Sequence, residues 1–317
     1  MIAVVVGSRT RETQDIIRVV FHAKEGVLPP YEAGAHIDVC LPSGLIRQYS
    51  LCRLQDDPRC YEVAVFKAHS SKGGSEEMHR LNVGETLMIS APKNHFRLAT
   101  TPAKSLLIAG GIGVAPLIAM AQQLEQMMKP FEFHYCARTP DAAAFVAWLK
   151  AASFADKVHF HFSQVPTSGR MDILNVLSQQ AISTELYLCG PTDFIQQLEW
   201  QAQTLGWSQE RLHKEYFSGL SPVSKEDSNT RFTLKIHSTG EEFDVAPEQT
   251  ITQVLDANGI YLPVSCEEGV CGTCQTKVCH GVPDHRDLFL SEKEKAAGGL
   301  IMPCCSRSKT SLLELDL

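Results

Sequence analysis

Cysteine is where this sequence concentrates its chemistry. Cys266, Cys271 and Cys274 stand in the run C-E-E-G-V-C-G-T-C, a C-x4-C-x2-C spacing, and Cys304 and Cys305 follow thirty residues on. Soft thiolates suit iron at a tetrahedral S4 site, and this spacing with a fourth cysteine further along is one that holds a [2Fe–2S] cluster. Zinc knuckles use two C-x2-C pairs; only Cys271 and Cys274 form one here, so iron–sulfur is preferred over zinc or a run of structural thiols. Gly269, Gly272 and the small Thr273 let a short loop wrap a cluster closely, its backbone N–H groups aimed at the sulfurs. Cys304 and Cys305 are adjacent, and neighbours on an extended segment point to opposite sides, so one of them is expected to ligate. Cys279 lies on a strand-like run and reads as a small packing residue.

Other residues have the types for phosphate and ring binding. Arg47-Gln48-Tyr49-Ser50-Leu51 puts a cation, a phenol and a hydroxyl on one strand, with Arg47 and Tyr49 sharing a face and Gln48 and Ser50 on the other. Lys72-Gly73-Gly74-Ser75 leads into a helix expected over 76–81, which suits either a phosphate cradle or an ordinary capping turn. Gly110-Gly111-Ile112-Gly113-Val114-Ala115-Pro116 sits between an apolar run and a helix, where a pyrophosphate would meet the helix dipole. Pro116 departs from G-x-G-x-x-G. Cys189-Gly190-Pro191 ends a later apolar run, and by itself such a cysteine reads as packing. Arg138 follows another; it is either a solvated loop cation or one that reaches a cofactor's adenosine side. The twelve histidines include no H-E-x-x-H or H-x-x-C arrangement, and so no hint of a hydrolytic metal or Rieske centre.

Three kinds of pattern must position these residues. Over 1–101, short alternating segments at 2–6, 16–21, 36–41, 47–52, 61–65 and 86–90 predict an antiparallel β-barrel or sandwich. Over 102–222, apolar runs at 105–109, 131–136, 158–163, 185–189 and 213–217 alternate with helical stretches at 114–127, 142–152, 171–180 and 194–205. That order predicts an α/β parallel-sheet nucleotide-binding domain. Residues 218–229, rich in Ser, Pro and charge, read as a linker. Over 230–317, a hairpin (232–236 and 242–245) feeds a helix at 252–257 ahead of the cysteine loop, and a strand at 312–315 closes the domain.

The length of 317 residues suits two or three such domains. Eleven cysteines favour metal binding over a disulfide framework, and no run approaches a membrane span or a leader, so a cytoplasmic protein without membrane contact is expected. Net charge is −7, and the stretch from Thr230 onward holds 8 Lys and Arg against 13 Asp and Glu. That balance disfavours nucleic acid and leaves room for a partner with a positive face, or for simple solubility.

Taken together, R-x-Y-S-L, K-G-G-S and Ser90-Ala-Pro92-Lys-Asn94-His-Phe96 resemble the flavin domain of the ferredoxin reductase superfamily. More narrowly, they are similar to the FMN-containing reductases of phthalate dioxygenase and vanillate O-demethylase. The G-G-x-G-x-x-P loop, the Cys189-Gly190-Pro191 run and the order flavin, nicotinamide, iron–sulfur resemble the same family across the whole chain. The resemblance implies that Arg47 and Gly73, Gly74 and Ser75 hold the FMN phosphate. It implies that Tyr49, Ser50, Asn94 and Phe96 line the isoalloxazine, with Ser50 near N5, and that Phe217 lies against the flavin. It places NADH on Gly110, Gly111, Gly113 and Pro116, with Arg138 toward the adenosine, Cys189, Gly190 and Pro191 near the nicotinamide, and Glu215 at its amide. The run I-M-P-C-C-S-R resembles the family's ligand cysteine followed by any residue and Ser-Arg, which makes Cys304 the fourth ligand and the C-terminal domain a β-grasp ferredoxin.

No cluster of basic residues awaits a 2′-phosphate, so NADH is preferred to NADPH. The implied activity is electron transfer from NADH to FMN, to the cluster, and on to a terminal Rieske oxygenase acting on an aromatic acid such as vanillate or phthalate. A carnitine-type oxygenase partner, a stand-alone flavin reductase of small acceptors and a redox sensor are the alternatives.

Overall fold

The computed structural model describes residues 1–68, 73–100, 103–217 and 229–317. Lys72 of the K-G-G-S run, the boundary residues Thr101 and Pro102, and residues 218–228 of the expected linker lie outside the described residues. The chain divides into two compact units, Met1–Phe217 and Ser218–Leu317.

The first unit begins with β1 (Ile2–Arg11), β2 (Ile16–Ala23), β3 (Ala35–Cys40), β4 (Ile46–Ser50), β5 (Cys60–Phe66), helix α1 (Gly74–Arg80), β6 (Thr86–Ile89) and the short β7 (Lys93–Asn94). The strands are antiparallel in the order β4-β3-β6-β1-β2-β5, with β7 on β3. Beyond β4, Leu51 bridges Val63 and the Cys52 N–H donates to Glu62 O at 3.0 Å, so the two ends of the sheet meet and it curls into a barrel. Period-two alternation sends Val4, Val6, Val19, Phe21, Ile37 and Val39 inward as its core.

The α/β half follows: β8 (Lys104–Gly110), α2 (Val114–Gln126), β9 (Phe131–Ala137), α3 (Val146–Ala151), β10 (Val158–Phe162), α4 (Ile173–Ser178), β11 (Thr184–Gly190), α5 (Thr192–Thr204) and β12 (Leu212–Tyr216). All pairings are parallel in the order β10-β9-β8-β11-β12, which puts the reversal of strand order between β8 and β11. Helix α2 buries every residue from Val114 to Ala121 against the sheet, where Leu107, Phe133 and Tyr135 face it. The helix expected over 142–152 is shorter. Thr139 caps a 3-10 turn at Pro140–Ala142, and Phe145, with φ 62, turns into the core before α3 begins.

The second unit holds β13 (Phe232–Ile236), β14 (Glu242–Val245), α6 (Ile251–Ala257), β15 (Thr276–His280), β16 (Pro283–Asp284), α7 (Glu292–Ala297), β17 (Leu300–Ile301), β18 (Arg307–Ser308) and β19 (Leu312–Leu315). Its sheet runs β14-β13-β19-β15-β17, with β13 and β19 parallel, and β16 and β18 form a separate ribbon. Helix α6 opens on a capping box between Thr250 and Gln253, and its Ile251, Val254 and Leu255 fill the core over the sheet. Among the described residues no helix is long and apolar enough to cross a membrane.

Candidate functional site

In the first unit the 110–116 loop, Cys189, Gly190, Glu215 and Ser50 gather where β8 and β11 part. A side chain on Gly113 would put its Cβ 2.2 Å from Cys189 O, and one on Gly190 would sit 3.0 Å from Gly110 Cα, so the glycines let two loops touch backbone to backbone. Gly111 faces the other way: its φ is 56 and nothing lies within 4 Å of the position its Cβ would take. The loop is thus packed on one side and open on the other, as a phosphate cradle requires. Pro116 is buried in the first turn of α2, where the lost N–H belongs to no helical bond, and Pro191 caps α5.

Beside this loop, the parallel register sets Cys189 of β11 opposite Glu215 of β12. Cys189 is fully buried, and burial first, then the Glu215 charge, holds its thiol well above the usual range. Burial likewise pushes the Glu215 carboxyl up to about 7, although the Ser50 hydroxyl partly offsets it by donating to Oε2 at 3.1 Å. Ser50 closes β4 of the barrel, so this bond joins barrel to parallel sheet. A carboxyl poised near neutrality next to a hydroxyl and a shielded thiol can hold or release a proton beside a ring bound there. The Ser50–Glu215 contact, between residues 165 apart in sequence, is the one feature of the site that no local pattern signals.

Arg47 passes over Gly74, whose Cβ would lie 2.6 Å from Arg47 Cγ, and its Nη1 donates to Ile46 O at 2.8 Å. Gly73 takes φ 97 and precedes α1, and Ser75 Oγ accepts from the Ala68 N–H at 3.2 Å. Tyr49 is half-buried against the barrel core, Phe217 is 38% exposed just past β12, and Arg138 is exposed at the C-terminal end of β9. Two residues expected at a flavin ring also make contacts within the chain. Phe96 is only 3% exposed and packs edge-on to Tyr187, while the Asn94 amide donates to Ala33 O and accepts from the Phe96 N–H, each at 3.0 Å. They brace the loop after β7 from within.

In the second unit the cysteine loop turns through three left-handed residues, Glu267, Gly269 and Gly272, at φ 56, 72 and 74. Space as well as conformation demands glycine: a Cβ on Gly269 would lie 2.5 Å from Cys305 Sγ, and one on Gly272 would lie 2.3 Å from the Phe289 ring. The thiols meet in two pairs. Cys266 donates to Cys271, which raises the first and lowers the second, and Cys274, held well above its usual range, donates to Cys304. Cys271, Cys274 and Cys304 are buried and Cys266 is half-buried.

A single zinc would gather four sulfurs to roughly 3.8 Å apart, given its bond length of about 2.3 Å. Two pairs, each able to chelate one iron, fit a binuclear cluster instead. Cys305 Sγ lies beside Met302 O and Ser306 Oγ, 3.8 Å from each, and touches Cys304 from outside the quartet.

Comparison with known proteins agrees with this layout. Residues 234–309 match the model of the 2Fe-2S iron-sulfur cluster binding domain. The vanillate O-demethylase oxidoreductase of Pseudomonas sp. (strain HR199 / DSM 7063) is 48% identical over 319 residues, covering all of both chains. That of Pseudomonas putida is 44% identical with the same coverage. Among solved structures, phthalate dioxygenase reductase, described as modular for electron transfer from pyridine nucleotides to a 2Fe-2S centre, is 32% identical with a TM-score of 0.76. The match covers 99% of this chain and 97% of that one. The chain therefore belongs to the family of the vanillate O-demethylase oxidoreductases and phthalate dioxygenase reductase, and it carries that family's ferredoxin domain at residues 234–309.

Proposed function

We propose that this chain is the reductase component of a two-component oxygenase, taking electrons from NADH through FMN and a [2Fe–2S] cluster to a terminal Rieske-type oxygenase. The partner's substrate is an aromatic acid of the vanillate kind. One observation carries the reading: end-to-end likeness to vanillate O-demethylase oxidoreductases, in a chain whose paired thiols suit a binuclear cluster. The cofactors supply the redox chemistry, accepting a hydride as an electron pair and passing electrons on singly.

The chain's own residues supply position. Arg47 and the turn at Gly73, Gly74 and Ser75 grip a single terminal phosphate, which favours FMN over FAD. Ser50 meets the ring near N5, Tyr49 and Phe217 bound it, and Glu215 and Cys189 hold the nicotinamide beside it, with Glu215 bonded to the carboxamide. Gly110, Gly111, Gly113 and Pro116 seat the NADH pyrophosphate, Gly190 and Pro191 lie near the nicotinamide, and Arg138 reaches the adenosine side. Cys266 with Cys271, and Cys274 with Cys304, each take one iron. Asn94 and Phe96 complete the ring's lining. The working division is 1–101 for flavin, 102–222 for nucleotide and 230–317 for the cluster.

The test is anaerobic mixing with NADH, followed by addition of a purified vanillate-type oxygenase. Both the flavin and the iron–sulfur absorbance should bleach in the native protein. In Cys266→Ser, flavin bleaching should survive while the oxygenase stays oxidised. Undiminished turnover of small acceptors and of the oxygenase in that variant would overturn the relay and favour a stand-alone flavin reductase.

A further inference from the structure

Away from the sites above, the parallel sheet carries a second set of metal-ligand residues. Strand β9 presents Phe131, Phe133 and Tyr135 to the core around α2, so Glu132 and His134 project from the opposite face. Strand β10 is paired in register, His159 beside His134, and it adds His159 and His161 to that same face. Four chemistry-bearing side chains therefore meet on one patch of the sheet. Glu132 Oε1 is 2.9 Å from His134 Nε2 and 3.8 Å from His159 Nε2, and all three ligand atoms lie within 4.8 Å of one another. The His134 ring stacks between its neighbours, its centroid 4.9 Å from that of His159 and 5.2 Å from that of His161.

We propose that Glu132, His134 and His159 form a binding site for a borderline divalent metal ion, zinc by its ligand chemistry, that pins edge strand β10 to β9. Two imidazole nitrogens and one carboxylate oxygen make a zinc-type ligand set, and tetrahedral zinc would hold them roughly 3.3 Å apart at bonds of about 2.0–2.1 Å. The separations of 2.9 and 3.8 Å bracket that value, so small side-chain shifts suffice.

The surrounding contacts are those of a metal's outer shell. His134 Nδ1 lies 2.9 Å from His161 Nε2. His134 Nε2–H donates to Glu132 Oε1 as the site stands, so a bound ion displaces that proton to solvent, and a proton held on Nδ1, shared with His161, then leaves Nε2 bare for the metal. Lys104 at 3.0 Å and Gln180 at 3.2 Å both donate to Glu132 Oε2, fixing the carboxylate and leaving Oε1 for the ion. The His159 side chain is 48% exposed, so the ion has an entry path and its fourth position faces water. The site adds a staple to the outermost strand of the sheet, which among the described residues has a neighbour on one side only.

Calorimetric titration of the holoprotein with zinc chloride tests this. The native protein should bind one equivalent and gain thermal stability from it. His159→Ala, an exposed position, and Glu132→Gln should each lose that equivalent and the stabilisation, while NADH still bleaches the flavin at the native rate. His161→Ala should still bind, about tenfold to a hundredfold more weakly, as loss of an outer-shell partner does. Cys279→Ser, which removes an exposed thiol able to take zinc, should bind as the native protein does. Native-like zinc binding in His159→Ala and Glu132→Gln, or its loss in Cys279→Ser, would overturn the proposal.

Discussion

Cys304 and Cys305 show how finely the cluster loop distinguishes neighbours. Cys304 pairs with Cys274 inside the quartet, whereas Cys305 sits by Met302 O and Ser306 on the rim. Cys304→Ala should therefore lose the cluster, and Cys305→Ala should keep it; iron content and visible absorbance distinguish them. Glu215 yields a pH prediction. Its folded value near 7 stands above the unfolded value of about 4.3, so the folded state binds more protons between those limits, and stability should fall as pH rises from about 4.5 to 7. Glu215→Gln should flatten that stretch of a thermal-denaturation profile. The cysteine quartet was legible in sequence because its ligands are mostly local and their spacing is particular. The Ser50–Glu215 bond was not, because it is made by two elements that meet only after both the barrel and the sheet have formed. The histidine patch stands in the sequence as E-x-H and H-x-H on two strands, an alternation that the helical H-E-x-x-H spacing does not cover.

Among the elements, α2 matched its expected span to within one residue, since an unbroken small-apolar run after a glycine loop leaves the chain little choice. Helix α3 did not: alanine propensity over 142–144 favours a helix, but burial of Ala144 and Phe145 wins, and the chain turns left-handed at Phe145. Close backbone approach sets the cost of change in the nucleotide loop. Gly113→Ala, whose methyl would meet Cys189 O, should cost about 1–3 kcal/mol and weaken NADH binding, read by denaturation and by the NADH concentration that half-saturates flavin bleaching. Thr250→Ala removes the bond that starts α6 and should cost about 1 kcal/mol, with a lowered transition in the cluster-bearing unit alone.

For the whole molecule, two units with separate cores imply unfolding in more than one step. Removing the cluster through Cys266→Ser should lower one calorimetric transition and leave the other in place. The excess of acidic residues after Thr230 predicts that electron delivery to a partner slows as salt rises, while flavin reduction by NADH does not. Stopped-flow rates at two ionic strengths measure both.

Strand β19 lies at the middle of the five-stranded sheet, yet it is the last of those strands in chain order. During synthesis residue 315 must therefore leave the ribosome before this sheet can assemble, with all six cysteines from Cys266 to Cys305 already emerged and uncaged. Iron loading is then a late event, which waits on the final strand to slot between two earlier ones, and a nascent chain stalled short of it would carry a finished flavin module with no route onward for its electrons.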